Sequence, residues 1–271
     1  MSQSIIVVKL GGTEGVDFSA ICRDAAELSS QGIKMVFVHG GSAEANALGD
    51  ALGAPPKMIT SPSGFTSRYT DRKTLEVFLM AVNGKVNSFL VEQLQKLGIN
   101  AFGLSGLDGK VLQATRKESV QSVEHGKRKI LRGDYTGKLS AVRCDLLCML
   151  LDAGLLPVLA PVAVSEKGEA LNVDADRAAA MVAVALQAET LILLTAVPGL
   201  LQRFPDESTL IHQISQSQLN VAAEAAKGRM KKKVLGAEEA LHGGVRRAVI
   251  ADGRIQAPIS SALAGRGTVI Q

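Results

Sequence analysis

"IIVVKLGGTEG", residues 5–15, is the stretch whose reading decides the fold. Apolar residues of strand character run into Lys9, and the chain then gives up its side chains at Gly11 and Gly12. A glycine pair lets backbone approach another group closely. A cation at a strand tip points to an anion beyond it. The next apolar run, "MVFVH" (35–39), ends the same way, in His39, Gly40, Gly41 and Ser42, with a helix predicted from about Ala43 to Leu52. Between the two runs Phe18, Ile21, Cys22, Ala25 and Leu28 recur at helical spacing. This is a βαβ unit, which implies parallel strands and a right-handed crossover.

The alternation continues outward from that unit. Residues 55–70 are turn-rich and read as a hairpin or lid. Residues 71–97 read as helix with a break at Asn83-Gly84, and "INAFGLSG" (99–106) as a strand into a glycine turn. Residues 109–138 read as strands with a turn at His125-Gly126, followed by a helix over about 140–153. "LPVLAPVAV" (156–164) reads as one strand, 174–187 as an alanine-rich helix and "TLILLT" (190–195) as a strand. A polar, irregular stretch over 200–227 precedes a helix at about 230–242, and "RRAVIADG" (246–253) reads as the final strand. The class expected is α/β: a three-layer α/β/α sandwich around a mainly parallel sheet. Ligands of such sheets bind beyond the carboxyl ends of the strands.

Composition agrees. The 271 residues are 46% hydrophobic, so a sizeable core can form without disulfides or structural metal. Tryptophan is absent and aromatics are 3%, as fits small residues packed between helices and a parallel sheet. No apolar run approaches the roughly 18 residues of a membrane span, and no signal peptide is expected. Of the three cysteines, Cys144 and Cys148 sit four apart in an apolar helical pattern, a core face rather than a ligand pair. A reducing, cytoplasmic setting fits. The formal net charge of +4 suits an anionic substrate or partner, and no aromatic-and-basic interleaving suggests nucleic acid.

Three further stretches carry chemistry. The two glycine turns are neither Walker loops nor dinucleotide fingerprints, yet two such turns from adjacent strands, the second opening a helix, offer backbone N–H groups to an anion. "LNVDADRAA" (171–179) sets Asn172, Asp174 and Asp176 before a helix; N-capping accounts for Asp174 and leaves Asp176 for an organising role. "GRMKKKV" (228–234) crowds cations at a helix start, where the macrodipole disfavours them, so an anion is expected there.

Taken in order, "VVKLGG", "VHGGS", "SRYTD", "GLSGLDGK", "LNVDADRAA", "TAVPGLL" and "GRMKKKV" resemble the amino acid kinase family, in its acetylglutamate kinase branch, over nearly the whole chain. The resemblance implies ATP and Mg2+ as cofactors and phosphorylation of a side-chain carboxylate. It assigns phosphoryl stabilisation to Lys9 and Lys233, organisation of both lysines to Asp176, and glycine-turn contacts to Gly11, Gly12, Gly40, Gly41 and Ser42. Acceptor-carboxylate contacts fall on Arg68 and Asn172, and nucleotide contacts on Thr195, Val197, Gly199 and Leu200. It also implies one kinase domain over 1–271, with an acceptor-binding and dimerisation lobe over roughly 1–170 and an ATP lobe beyond.

The closest likeness within the branch is to members whose acceptor, α-aminoadipate or glutamate, is carried by a small acidic amino-group carrier protein. Lys127, Arg128, Lys129 and Arg132 would dock that carrier. Two departures stand out: Ser42 replaces the third glycine of the branch's turn, and Ala196 replaces an aspartate on the nucleotide side. The likeness implies a homodimer without arginine feedback. Free N-acetylglutamate is the rival acceptor, and a nucleotide-binding regulatory subunit without turnover the rival class.

Overall fold

The structure, a computed structural model, describes residues 4–12, 15–62, 64–124, 127–219, 222, 226 and 228–271. Strand β1 (Ile5–Leu10) shows how the core is built. Ile6, Val8 and Leu10 face one layer, and Val7 the other, as the two-residue period of a strand requires. The same period turns Lys9 toward the layer of Val7. Strand β2 (Lys34–His39) lies parallel to β1, with Lys9 beside Val38 and Leu10 beside His39. Helix α1 (Phe18–Ser30) crosses between them. Its N-cap, Asp17, accepts from the Ser19 and Ala20 amides. Helix α2 (Ser42–Ala51) starts directly after the second glycine turn.

A hairpin follows, β3 (Met58–Thr60) and β4 (Thr66–Arg68). Helix α3 (Arg72–Leu79) then runs through a π-helical stretch, Met80–Asn87, into α4 (Ser88–Lys96). The break expected at Asn83-Gly84 is therefore absent. Wider winding, not interruption, is what this stretch adopts. After β5 (Ala101–Ser105) come β6 (Leu112–Arg116), β7 (Ser119–Glu124), β8 (Lys127–Arg132) and β9 (Gly137–Val142). The turn expected at His125-Gly126 lies outside the described residues. Helix α5 (Asp145–Asp152) starts later than expected, because 137–142 pair with β6.

The expected single strand over 156–164 is two, β10 (Leu156–Ala160) and β11 (Val162–Val164), in different sheets on either side of Pro161. The chain continues as β12 (Ala170–Asn172), α6 (Ala175–Ala185), β13 (Thr190–Thr195), β14 (Gln213–Ile214), α7 (Arg229–His242) and β15 (Arg247–Asp252). Strand β15 is not the last element. Helix α8 (Pro258–Leu263) and β16 (Thr268–Ile270) follow it.

Among the described residues the main sheet has the order β14-β16-β15-β13-β1-β2-β10-β5, parallel apart from β16 against β15. One apolar layer joins Ile6, Val8, Phe37 and Ile192 to α1, α4 and α8; the other joins Val7, Val36, Leu191 and Ile250 to α5, α6 and α7. The three-layer α/β/α sandwich is thereby established. A smaller sheet, β12-β11-β6-β9, and the hairpins β3–β4 and β7–β8 complete the described strands.

Candidate active site

The two glycine turns interlock. A side chain on Gly12 would put its Cβ 2.4 Å from the Gly41 nitrogen and 2.6 Å from the Gly40 carbonyl carbon. One on Gly40 would meet the Gly12 nitrogen at 2.8 Å, and one on Gly41 would meet Val82 of the π-helical stretch at 2.6 Å. Positive φ is not the reason for these glycines; close approach is, of backbone at Gly12 and Gly40 and of the Val82 side chain at Gly41. Gly11 packs under the end of β13, where a Cβ would lie 3.1 Å from the Leu194 carbonyl oxygen. The Gly40 amide donates to Leu10, and the Ala43 amide donates to Gly12, so α2 begins on the first turn.

Lys9 points from β1 into the layer that holds α6 and α7, and there it meets Asp176. Its Nζ lies 2.8 Å from Asp176 Oδ1. Lys233 Nζ, from α7, lies 3.0 Å from Oδ1 and 3.1 Å from Oδ2 of the same carboxylate. All three side chains are under a tenth exposed. The sequence expectation of three residues brought together holds as geometry. Asp176 stands in the first turn of α6, where the helix dipole favours an anion. Asp174 caps that helix, accepting from the Asp176 and Arg177 amides, as expected. Helix α7 comes close because Gly236 faces α6: a Cβ there would lie 3.2 Å from the Asp176 carbonyl oxygen.

Two cations sharing one buried anion have electrostatic consequences. Burial pushes the Asp176 carboxyl up, but the charges and hydrogen bonds of Lys233 and Lys9 outweigh it and hold the group well below the usual carboxylate range. Burial works against the charged form of Lys9, and Asp176 overcomes it, so Lys9 is raised. Lys233 is pushed down to about 8, by burial first and by the neighbouring Lys9 charge, against the pull of Asp176. The cluster keeps a surplus of positive charge at neutral pH, suited to an arriving phosphoryl group. The lysine run divides its tasks. Lys231 sits over the Phe65 ring at 5.2 Å, Lys232 pairs with Asp174 at 3.1 Å, and Lys233 enters the cluster. The anions that the crowded helix start calls for thus come from the start of α6.

Arg68, at the end of β4, donates to the Ser42 carbonyl at 3.2 Å and to Asn46 Oδ1 at 2.6 Å. These acceptors are neutral oxygens, and burial lowers the guanidinium pKa. A fork held at the start of α2 in this way suits a ligand carboxylate. Asn172 lies beside Thr70, donating to its hydroxyl at 3.1 Å. On the other side of the sheet's end, Thr195 and Val197 are half-buried. Gly199 and Leu200 are buried against Thr268, whose hydroxyl accepts from the Leu200 amide at 2.8 Å. The Leu200 side chain belongs to the core.

Lys127, Arg128, Lys129 and Arg132 are all exposed on β8. That hairpin is tied at its base to β3–β4 through Tyr69, whose hydroxyl donates to the Arg132 carbonyl at 2.6 Å.

Several residues escaped the sequence reading. His39 is buried; its Nδ1 lies 3.0 Å from the Gly40 oxygen and its Nε2 3.0 Å from Asn87 Nδ2. Burial pushes the ring down to about 4, with the Lys9 charge a lesser contributor, so it is neutral at pH 7. Asp134, the one acid of the basic stretch 127–138, is buried and accepts from the amides of Thr70 and Thr136 and from the Thr136 hydroxyl. An acid alone among cations was the available signal. Among the described residues no group of three His, Cys, Asp or Glu side chains could hold a metal ion.

The description "Amino acid kinase family" matches residues 4–252. The LysW-aminoadipate kinase of Deinococcus radiodurans is 56% identical over 98% of this chain and 91% of its own length. The LysW-aminoadipate kinase of Thermus thermophilus is 52% identical over 98% of this chain and all of its own. A carbamate kinase from Giardia lamblia, solved with AMP-PNP, superposes with a TM-score of 0.68 at 16% identity, over 99% of this chain and 98% of that one, a likeness of fold. With the interlocked glycine turns and the two lysines on one carboxylate in place, the chain belongs to the amino acid kinase family.

Proposed function

We propose that the protein uses ATP to phosphorylate the side-chain carboxylate of α-aminoadipate, or of glutamate, carried by an acidic LysW-type carrier protein in lysine biosynthesis. The observation that carries the phosphoryl-transfer part is Lys9 and Lys233 converging on Asp176. Phosphoryl transfer needs positioning and charge neutralisation more than covalent help. A carboxylate oxygen would attack the γ-phosphorus as the bond to the β,γ-bridging oxygen breaks, giving an acyl phosphate and ADP. Lys9 and Lys233 would neutralise the transferring group from two sides, with Asp176 fixing both, and the Gly41 amide would donate to it. The acceptor is already ionised at neutral pH, so no strong base is needed. Arg68 and Asn172 would hold the acceptor's other carboxylate. Ser42 would narrow the acceptor side, and the stretch from Thr195 to Leu201 would face the nucleotide.

Mg2+ would be held by the nucleotide's phosphates and water, since the described residues offer it no cage, and would supply further charge neutralisation there. The carrier part of the reading is supported by the names of the two relatives and by the basic β8 arm, joined through Tyr69 to the strand that bears Arg68. In this reading residues up to about 170 form the acceptor and dimer lobe, and the remainder the nucleotide lobe. A homodimer is supported by Met80, Phe89 and Phe102, large apolar side chains exposed along the π-helical stretch, α4 and the edge strand β5. The cysteines are free and no described helix is long and apolar enough to cross a membrane, which fits the cytoplasm.

The test is coupled ADP release with three acceptors: carrier-linked α-aminoadipate, carrier-linked glutamate and free N-acetylglutamate. A higher kcat/KM for a carrier-linked acceptor is expected. Preference for N-acetylglutamate would replace the carrier reading, and binding of ATP without turnover on any acceptor would replace the enzyme.

A further inference from the structure

The Gly40–Gly41 peptide is held from behind by a side-chain relay that the proposed chemistry does not itself use. Asn87 ends the π-helical stretch, and its Nδ2 lies 2.8 Å from the Val158 carbonyl oxygen and 3.0 Å from His39 Nε2. A carbonyl accepts only, so the Asn87 atom facing it is the amide nitrogen, which also faces Nε2 as a donor. Nε2 is therefore the bare nitrogen, and the neutral ring carries its proton on Nδ1. That proton goes to the Gly40 oxygen. The seat for Asn87 is itself built: a side chain on Gly103 of β5 would place its Cβ 2.2 Å from Asn87 Oδ1.

A trans peptide is planar, and its N–H points opposite to its C=O. Holding the Gly40 carbonyl toward His39 turns the Gly41 N–H the other way, while Gly12, for want of a side chain, packs against the face of that same peptide. Among the described residues the Gly41 N–H has no acceptor. We infer that His39, held by Asn87 in its Nδ1–H tautomer, is a positioning residue that aims the Gly41 amide at the transferring phosphoryl group. The bland alternative is a satisfied core histidine that merely supports β2. It predicts that the kcat of each His39 variant follows how well that variant packs and folds, with no excess loss tied to which ring nitrogen the new side chain imitates.

The inference rests on the function proposed above for the Gly41 amide, and its test separates the two. Asparagine puts an amide N–H near the place of Nδ1, and glutamine near the place of Nε2. His39→Asn is expected to keep kcat within about threefold of wild type, while His39→Gln loses about 10²-fold, the loss typical of one misplaced transition-state donor. KM for ATP should change less than about twofold in both, since the amide acts on the transition state. Equal kcat in the two variants overturns the inference. The 15N spectrum of the wild-type protein decides independently of any acceptor or of how the variants fold. A protonated Nδ1 with a bare Nε2 at pH 7 supports the relay, and the opposite tautomer overturns it. Should wild type phosphorylate no carboxylate, the proposed function fails and the phosphoryl target with it, while the tautomer still decides whether His39 holds the Gly40–Gly41 peptide.

Discussion

Lys233 is the residue whose state the surroundings control most visibly. Its pKa is lowered to about 8, by burial first and by Lys9 second. In the proposed mechanism both cations face the phosphoryl group below that pH, and only Lys9 above it. Because kcat/KM reports ionisations of the free enzyme, it is expected to fall on an alkaline limb near pH 8. Lys233→Arg keeps a permanent charge and should remove that limb at a lower overall rate. A kcat/KM that stays flat from about pH 7 to about pH 9.5 would contradict the assignment. Lys9→Ala, which removes the other cation, should lower kcat on the order of 10²-fold or more with little change in KM for ATP. Asp176 joins both lysines, so its loss has a double effect. Asp176→Asn leaves two buried ammonium groups without an anion, a situation that costs about 3–5 kcal/mol. Denaturant melts should show that loss, and Lys233→Met in the same chain should recover much of it without recovering turnover. Full recovery of turnover in the double variant would mean that Lys233 is structural.

Elements meet here through residues far apart in the chain, and that distance governs what the sequence discloses. Lys9 and both glycine pairs were legible because strand period and close backbone approach are local facts. Asp176 was legible because helix capping accounted for Asp174 and not for it. Asn87 reaches His39 across 48 residues, and Asp24 reaches α8 across 235, and no pattern within one window shows either. Helix α8 and β16 went unread for a related reason. The amides of α8 are organised from α1, where buried Asp24 accepts from Ile259 at 2.5 Å, from Ser260 at 2.9 Å and from the Ser260 hydroxyl, and β16 is placed by pairing with β15 and β14. Helix α8 has no side-chain cap of its own at its N-cap, Ala257. Asp24→Ala should therefore destabilise the fold by about 1.5–3 kcal/mol, the usual worth of hydrogen bonds to a charged group. The readout is the urea midpoint, with kcat of the surviving folded protein near wild type. An unchanged midpoint would show that α8 is held by packing alone. The split of 156–164 at Pro161 and the late start of α5 share a cause. Both are set by the second sheet, whose pairing partners lie elsewhere in the chain.

At the scale of the whole protein, an exposed basic hairpin is the feature that bears on the partner. The basic arm carries Lys127, Arg128, Lys129 and Arg132 on an exposed two-stranded hairpin, with Ile130 exposed among them. Lysines on an edge also guard against strand pairing, so solubility is the competing account. The two differ in what salt and charge reversal do. Docking of an acidic carrier by complementary charge acts mostly on association and weakens as salt rises. Reversing Lys127, Arg128 and Lys129 to Glu should lower kcat/KM for a carrier-linked acceptor by tenfold or more, roughly, at low salt. The affinity for ATP should stay put. Intact carrier-linked turnover in the reversed variant would assign the arm to solubility.

One measurement bears on the central claim most directly. Wild-type protein is incubated with ATP, Mg2+ and carrier-linked α-aminoadipate, quenched with hydroxylamine, and the intact carrier is weighed by mass spectrometry. The expected result is a hydroxamate on the aminoadipate side chain, formed only with ATP and lost in Lys9→Ala. An unmodified carrier, alongside hydroxamate formation on free N-acetylglutamate under the same conditions, would contradict it.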